Sequence, residues 1–340
     1  MEILAMNMIP QVKNLDLIKE INPSLRYDGK EDFKAWQKRA RATLIELLGM
    51  NTMEKCDPMF NIEFTEEFDT FTETRFTIQT EENYFLPAHL WVPKGKEGKL
   101  PLCICLQGHS KGMHISMGRP KYAGDEETIS GGDRDFAPQI IKEGFCALII
   151  EQRNFGECGG LETGPNCYVS SMAAILNGRT TIGERVWDIS RTLDAVLEHF
   201  DMVDEANIFC MGNSGGGTAT IYASCIEERI SLSMPSCAMC TYKHSIAAMR
   251  HCACNFVPNI AQYFDMGDLT GLIAPRKLIV VHGVKDTGFP AEGVYECYDI
   301  AEKMYKAAGV PDNCRLVSGP EGHRFYADLS WPVVHELSGK

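Results

Sequence analysis

The chain has 340 residues, 44% of them hydrophobic, which is enough to bury the core of one large domain or of two modest ones. Its formal net charge of −13 argues against nucleic acid or an anionic membrane as a partner, because both would repel an acidic surface. The first residues lack the basic region and apolar core of a signal peptide, and no apolar run approaches the ~18 residues of a membrane span, so we expect a cytoplasmic protein.

The N-terminal part of the chain is predicted to be helical and peripheral. Residues 1–55 form this predicted helical extension, in which 31–48 repeat apolar residues at the i, i+3, i+4 spacing of an amphipathic helix. From 60 to 80, and again from 85 to 92, apolar and polar residues alternate instead. That alternation predicts three strands, an antiparallel entry to a sheet at the start of the main domain, 56–340.

From residue 100 onwards, short apolar runs alternate with helical segments. The runs that suit fully buried strands are 102–106, 146–150, 208–211, 230–234, 278–281 and 314–317. Helical patterns lie at 135–142 and 181–200. This alternation predicts an α/β fold with a mostly parallel central sheet and helices on both faces. The connection of about forty residues around 236–276 exceeds a simple crossover, and we expect a small cap over the site there.

One of these strand-to-helix junctions carries the pattern of a catalytic turn. Gly212-Asn213-Ser214-Gly215-Gly216 matches G-x-S-x-G between a buried strand and a helix. The turn is sharp, so glycines two positions either side of the serine avoid collisions with the neighbouring strand and helix. The backbone N–H of Gly215, at the helix N-terminus, can point at a developing oxyanion. We predict Ser214 as a nucleophile; the alternative is a glycine-rich turn with an inert serine.

A serine hydroxyl needs a base, because it is a poor nucleophile at neutral pH. In this architecture the acid and the histidine follow the serine in that order, on loops after later strands. Of the nine histidines, His323 lies in a glycine-rich loop just past the last predicted strand, and it is the predicted base. Asp286, on the turn after 278–281, is the predicted acid. Glu321 is the alternative acid, although it is only two residues from His323.

The second oxyanion donor is predicted to be the backbone N–H of His109, in the loop after the first core strand, with Gly108 permitting close approach. Gln107 in the same loop is predicted to contact the substrate.

Two further side chains, Arg153 and Trp187, are predicted to contact the substrate because they lie on segments that lead to the site. For Arg153 two interpretations are equally open: it anchors a carboxylate of the substrate, or it pairs with Glu151 or Glu157. Trp187 is one of several aromatic residues that predict a small acyl pocket.

Fourteen cysteines are many for this length, and without a secretion signal we expect free thiols and no disulfide framework. Cys237, Cys240, His251, Cys252 and Cys254 form a rival constellation, since thiolates and imidazole are the ligands that zinc prefers. The side chains of a C-x-C pair tend to diverge, however, and the segment between the two halves has no glycine. We therefore expect these cysteines to belong to the core, and expect neither a metal nor another cofactor.

Together these motifs carry a family resemblance. G-N-S-G-G around Ser214, Asp286 before Phe289-Pro290, and E-G-H-R-F around His323 resemble the α/β-hydrolase superfamily. Within it the chain is similar to the bacterial acetyl xylan esterase and dienelactone hydrolase-like group, supported by the segments 183–188, 251–255 and 273–276. The resemblance runs from about residue 60 to the C-terminus. It implies an α/β-hydrolase fold and Ser-Asp-His ester hydrolysis without a metal, often on acetyl groups of sugars.

We therefore expect a serine esterase that acts on a small-molecule ester with a short acyl group. Ser214 attacks the carbonyl, His323 takes and returns the proton, and Asp286 holds the imidazole tautomer. The N–H groups of Gly215 and His109 bind the oxyanion. The alternatives are a peptidase or thioesterase on the same residues, and a non-catalytic binding protein, against which the intact Ser, Asp, His order speaks. The oligomeric state stays open, a homo-oligomer included.

Overall fold

The computed structural model describes residues 9–160 and 165–338. Within these residues the strands are β1 (Asn61–Glu67), β2 (Phe71–Glu81), β3 (Tyr84–Pro93), β4 (Leu100–Leu106), β5 (Cys146–Ile150), β6 (Val203–Asn213), β7 (Ile230–Ser236), β8 (Lys277–Gly283) and β9 (Cys314–Gly319). The helices are α1 (Pro10–Glu20), α2 (Phe33–Leu48), α3 (Asp125–Ser130), α4 (Phe136–Glu143), α5 (Cys167–Leu176), α6 (Thr181–His199), α7 (Gly215–Ile226), α8 (Ile260–Tyr263), α9 (Met266–Ile273), α10 (Ala291–Ala307) and α11 (Ala327–Ser338). Residues 1–8 of the predicted N-terminal extension lie outside the described residues.

The strands form one sheet in the order β1-β2-β3-β5-β4-β6-β7-β8-β9. The strands β4 to β9 are parallel to their neighbours, whereas β1, β2 and β3 pair antiparallel and β3 joins β5 antiparallel. The predicted mostly parallel sheet with an antiparallel entry is therefore confirmed.

Both faces of the sheet are covered by helices. Successive side chains of a strand point to opposite sides, so one strand contributes to two cores. In β4, Leu102 and Ile104 pack into a core with α6, α7, α9 and α10, whereas Cys103 and Cys105 pack into a second core with α4 and α11. A strand that is buried on both faces has no polar side to display, which explains the continuous apolar runs of the sequence. The predicted helices on both faces are confirmed.

The helix α2 docks on this domain through its apolar face. Trp36 is 1% exposed, and the neighbouring Gln37 donates Nε2 hydrogen bonds to the carbonyls of Gly271 (2.7 Å) and Ala274 (2.6 Å), at the end of α9. All eight residues of α9 are buried, so this part of the predicted cap segment belongs to the helical layer. The division into extension, main domain and cap stays a prediction. No helix within the described ranges is both long and apolar enough to cross a bilayer.

Candidate active site

Ser214 occupies the sharp turn between β6 and α7. Its backbone has φ 57° and ψ −120°, a conformation that residues with a side chain rarely adopt. The turn is held by a 2.8 Å hydrogen bond from the N–H of Ser214 to the carbonyl of Ser236 at the end of β7. Gly216 is required there, since a Cβ would lie 2.0 Å from the carbonyl oxygen of Leu106. The half-buried serine thus stands at the carboxyl ends of the parallel strands.

His323 and Asp286 form a hydrogen-bonded pair on the loops after β9 and β8. Nδ1 of His323 lies 2.7 Å from Oδ2 of Asp286, and Oδ1 accepts the N–H groups of Gly288 (2.8 Å) and Phe289 (3.2 Å). Burial alone would raise the pKa of Asp286, but these hydrogen bonds outweigh it and hold the pKa below its ordinary value. The ionised carboxylate accepts a hydrogen bond from Nδ1–H, which leaves Nε2 as the ring nitrogen that can accept a proton.

The imidazole of His323 is itself positioned by its neighbours. Arg134 donates a 3.0 Å hydrogen bond to the carbonyl of His323, and the ring of Phe289 stacks on the imidazole at 5.9 Å between centroids. The side chain of His323 is 35% exposed, so a substrate can reach it, whereas that of Asp286 is 1% exposed. Glu321, the alternative acid, is exposed on the surface, 3.4 Å from Lys285.

Ser214 and His323 lie at the same edge of the sheet, after the carboxyl ends of β6 and β9. Oγ of Ser236, whose carbonyl holds the Ser214 turn, lies 3.0 Å from Oδ1 of Asn213 and 3.4 Å from the carbonyl oxygen of Arg324, next to His323. Among the described residues, the hydroxyl of Ser214 makes no hydrogen bond to the imidazole. Such bonds are often long in enzymes without substrate and tighten when it binds.

The loop after β4 passes close to Ser214. A Cβ on Gly108 would lie 3.2 Å from the Cβ of Ser214, so the two backbones approach closely. Gln107, predicted to contact the substrate, is buried, and its Nε2 donates instead to Oε1 of Glu151 at 2.8 Å. His109 is half-buried, and Nε2 of its ring lies 3.0 Å from Sγ of Cys254.

Glu151, the residue after β5, accepts hydrogen bonds from this loop. Burial raises its pKa to about 8, against the opposing effect of the N–H groups of Met113 and Glu157, which both bond to the carboxyl group. Together with the bond from Gln107, these contacts connect the loop to the end of β5.

Arg153 pairs with acidic residues other than Glu151 and Glu157, the partners considered from sequence, and its contact with the substrate stays a prediction. Its guanidinium binds Asp188 in a bidentate manner (2.7 and 2.9 Å) and reaches Glu81 at 2.6 Å. Both partners come from segments distant in sequence, so the adjacent acidic residues misled the sequence interpretation.

The Trp187 side chain makes contacts within the protein, and its contact with the substrate stays a prediction. Its Nε1 donates to the carbonyl of Thr80 in β2 at 2.7 Å, and its ring lies 5.1 Å from the Arg191 guanidinium.

The cysteine constellation proposed from sequence divides into separate groups. The thiols of Cys237 and Cys240 donate to the carbonyls of Arg324 (3.3 Å) and Pro290 (3.7 Å), and the Nε2 of His251 lies 3.0 Å from Ser245 Oγ.

Cys252 and Cys254 meet two other residues, Cys167 and His109, and the four ligand atoms all lie within 4.8 Å of one another. The expected divergence of the C-x-C pair is wrong, because a turn of 3₁₀ helix at Ala253–Asn255 bends the backbone between them. Sequence reasoning missed Cys167 because nothing in its spacing points to the later pair.

The chain is similar in sequence or in structure to several known proteins. YtaP of Bacillus subtilis (strain 168), provisionally named a hydrolase, is 28% identical over 244 residues, which are 70% of this chain and 77% of that protein. A crystal structure of a Bacteroides fragilis protein, provisionally named an acetyl xylan esterase, superposes with a TM-score of 0.82 at 15% identity, covering 98% of this chain and 96% of that one. A glucuronoyl esterase from Solibacter usitatus gives 0.67 at 16% identity, with 94% and 97% covered. No family model matches the chain.

The chain therefore has the α/β-hydrolase fold, and the predicted fold is confirmed. The hydrolase and esterase names of these relatives agree with the predicted class of enzyme, a carboxylic ester hydrolase.

Proposed function

We propose that the protein is a serine esterase that cleaves short-acyl carboxylic esters, with acetyl esters of carbohydrates as the first substrate class to test. The observation that carries the proposal is the bond between His323 and the buried carboxylate of Asp286, at the sheet edge where Ser214 stands on its strained turn. If Ser214 were inert, its strained backbone would have no explanation. Nor would an imidazole that has one nitrogen fixed by a carboxylate and the other accessible.

The reaction follows from these positions. Nε2 of His323 takes the hydroxyl proton as Ser214 Oγ attacks the ester carbonyl, and Asp286 stabilises the imidazolium that forms. The oxyanion is bound by the N–H groups of Gly215 and His109. The first N–H groups of a helix lack an intrahelical acceptor, so that of Gly215 is free to donate. The alcohol leaves with the proton from His323, and water then attacks the acyl-enzyme by the same route.

A carbohydrate as the alcohol is supported by the relatives. Relatives of this fold are named as esterases of acetyl xylan and of glucuronoyl esters, which are sugar derivatives.

A panel of substrates tests the proposal. The panel contains 4-nitrophenyl esters from acetyl to octanoyl, acetylated xylo-oligosaccharides, a methyl ester of glucuronic acid, an acyl thioester and a dipeptide amide, with Ser214→Ala as the blank. We expect kcat/KM to fall from acetyl towards octanoyl, and the acetylated sugar to be cleaved. A preference for the amide, the thioester or the octanoyl ester would contradict the proposal. A preference for the methyl ester would keep the serine esterase but move the sugar to the acyl side.

A further inference from the structure

Three segments far apart in sequence bring together four side chains of types that can coordinate a metal ion. They are His109 after β4, Cys167 at the start of α5, and Cys252 and Cys254 on the 3₁₀ turn in the segment after β7. We refer to these four residues as the Cys3His cluster. His109 and Cys254 are 145 residues apart, and Nε2 of the ring lies 3.0 Å from Sγ.

The spacing of the four atoms suits a tetrahedral ion. With Zn–S bonds of about 2.3 Å, two sulfurs of a tetrahedral zinc site lie about 3.8 Å apart. The three sulfurs and Nε2 of the cluster all fall within 4.8 Å of one another, so each can reach one central ion with small adjustments. Three cysteines and one histidine are a ligand set of closed, structural zinc sites.

The charge around the cluster gives an independent argument. Arg185 is 1% exposed, and its guanidinium donates to Sγ of Cys254 (3.4 Å) and Sγ of Cys167 (3.7 Å). No carboxylate pairs with it among the described residues; its other hydrogen bonds go to the carbonyl of Arg153. A buried guanidinium without a counter-charge is costly. A zinc ion with three thiolates carries one net negative charge, which Arg185 would offset.

We propose that the Cys3His cluster binds Zn²⁺ as a structural site. On binding, three thiols lose their protons to solvent and His109 coordinates through Nε2 as the neutral ring. The protein fills all four positions, so the ion has no open position for water or substrate. This site differs in composition from the constellation considered from sequence, and it replaces the expectation that Cys252 and Cys254 are ordinary core residues.

Zinc binding at His109 would also affect the turn that carries Ser214. This consequence rests on the proposed function. The ring packs against Gly215, where an added Cβ would lie 2.6 Å from its Cε1 and Nδ1 atoms. Coordination of His109 would therefore fix the loop whose N–H is assigned to the oxyanion.

The test is elemental analysis of the full-length protein after purification without chelator. We expect about one zinc per chain. Exchange with Co²⁺ should give the thiolate-to-cobalt charge-transfer absorption and the intense visible bands of a tetrahedral site. Neither measurement depends on activity, so the metal site and the proposed function can fail separately.

Matched variants locate the ion. Cys252→Ser and Cys254→Ala should lose the zinc, whereas Cys56→Ser (also partly exposed) and Cys146→Ala (also buried) should keep it. Zinc well below one per chain in the wild-type protein, iron in its place, or a disulfide among these cysteines would overturn the proposal. Full zinc content in both ligand variants would do so as well. If a ligand variant does not fold, zinc content and the cobalt spectrum of the wild-type protein decide the question alone.

Discussion

Nδ1 of His323 lies 2.7 Å from Oδ2 of Asp286, and the other oxygen of that carboxylate is held by two backbone N–H groups. The carboxylate is thus held in place by the backbone as well as by the imidazole. With Nδ1 bound to the carboxylate, the second ring nitrogen is left to accept a proton, and the predictions for Ser214, His323 and Asp286 depend on this.

Ser214→Ala and His323→Ala should each lower kcat on a 4-nitrophenyl ester by about 10⁴-fold or more, and the double variant should lose little beyond either one. The reason is that hydroxyl and imidazole act as one unit in proton transfer. Steady-state kinetics on the three purified variants measure this, with Glu321→Gln as a control that should keep wild-type kcat. Losses that multiply in the double variant would show that the two residues do not work together.

Asp286→Asn should lower kcat by about 10⁴-fold with a much smaller change in KM, because an amide in place of the carboxylate favours the wrong tautomer of His323. The folded state should persist, as judged by circular dichroism. A variant with near wild-type kcat would remove Asp286 from the proposed triad.

Glu151→Gln should make the stability of the protein less sensitive to pH. The pKa of this carboxyl is raised to about 8 in the folded state from an ordinary value of 4.5, so the group contributes stability below about pH 4.5 that is lost as the pH rises towards 8. Relative to the variant, the wild-type free energy of unfolding should fall by up to about 1.4 kcal/mol per pH unit across this window.

Denaturant unfolding of wild type and Glu151→Gln at several pH values between 5 and 8 gives this difference. Glu97→Gln, on an exposed residue, is the matched control and should run parallel to the wild type. Parallel wild-type and Glu151→Gln curves would mean that Glu151 is ionised in the folded protein.

Arg153→Met should lower the free energy of unfolding by about 3 to 5 kcal/mol, because it leaves the buried carboxylate of Asp188 without its partner. Chemical denaturation measures the loss, and Lys303→Met, on an exposed position, should stay close to wild type. If the variant is as stable as the wild type but its KM rises sharply, Arg153 binds substrate after all.

The sequence predicted the sheet because strands buried on both faces must be continuously apolar, as 102–106 and 146–150 are. The pairing of His323 with Asp286 could be anticipated because the fold suggests the chain order in which an acid and a histidine follow the serine. Contacts between distant segments could not be found in this way. The partners of Arg153 lie on β2 and α6, and Cys167 lies beside Cys252 and Cys254, which a short 3₁₀ turn brings together.

Covalent labelling of Ser214 tests the central claim most directly. The wild-type protein and Ser214→Ala are incubated with a fluorophosphonate, and intact mass and peptide mapping identify the modified residue. We predict one adduct per chain on Ser214, blocked in Ser214→Ala and strongly slowed in His323→Ala, with esterase activity lost in proportion to labelling. A protein that hydrolyses esters but stays unlabelled, or that carries the adduct on another residue, would contradict the account.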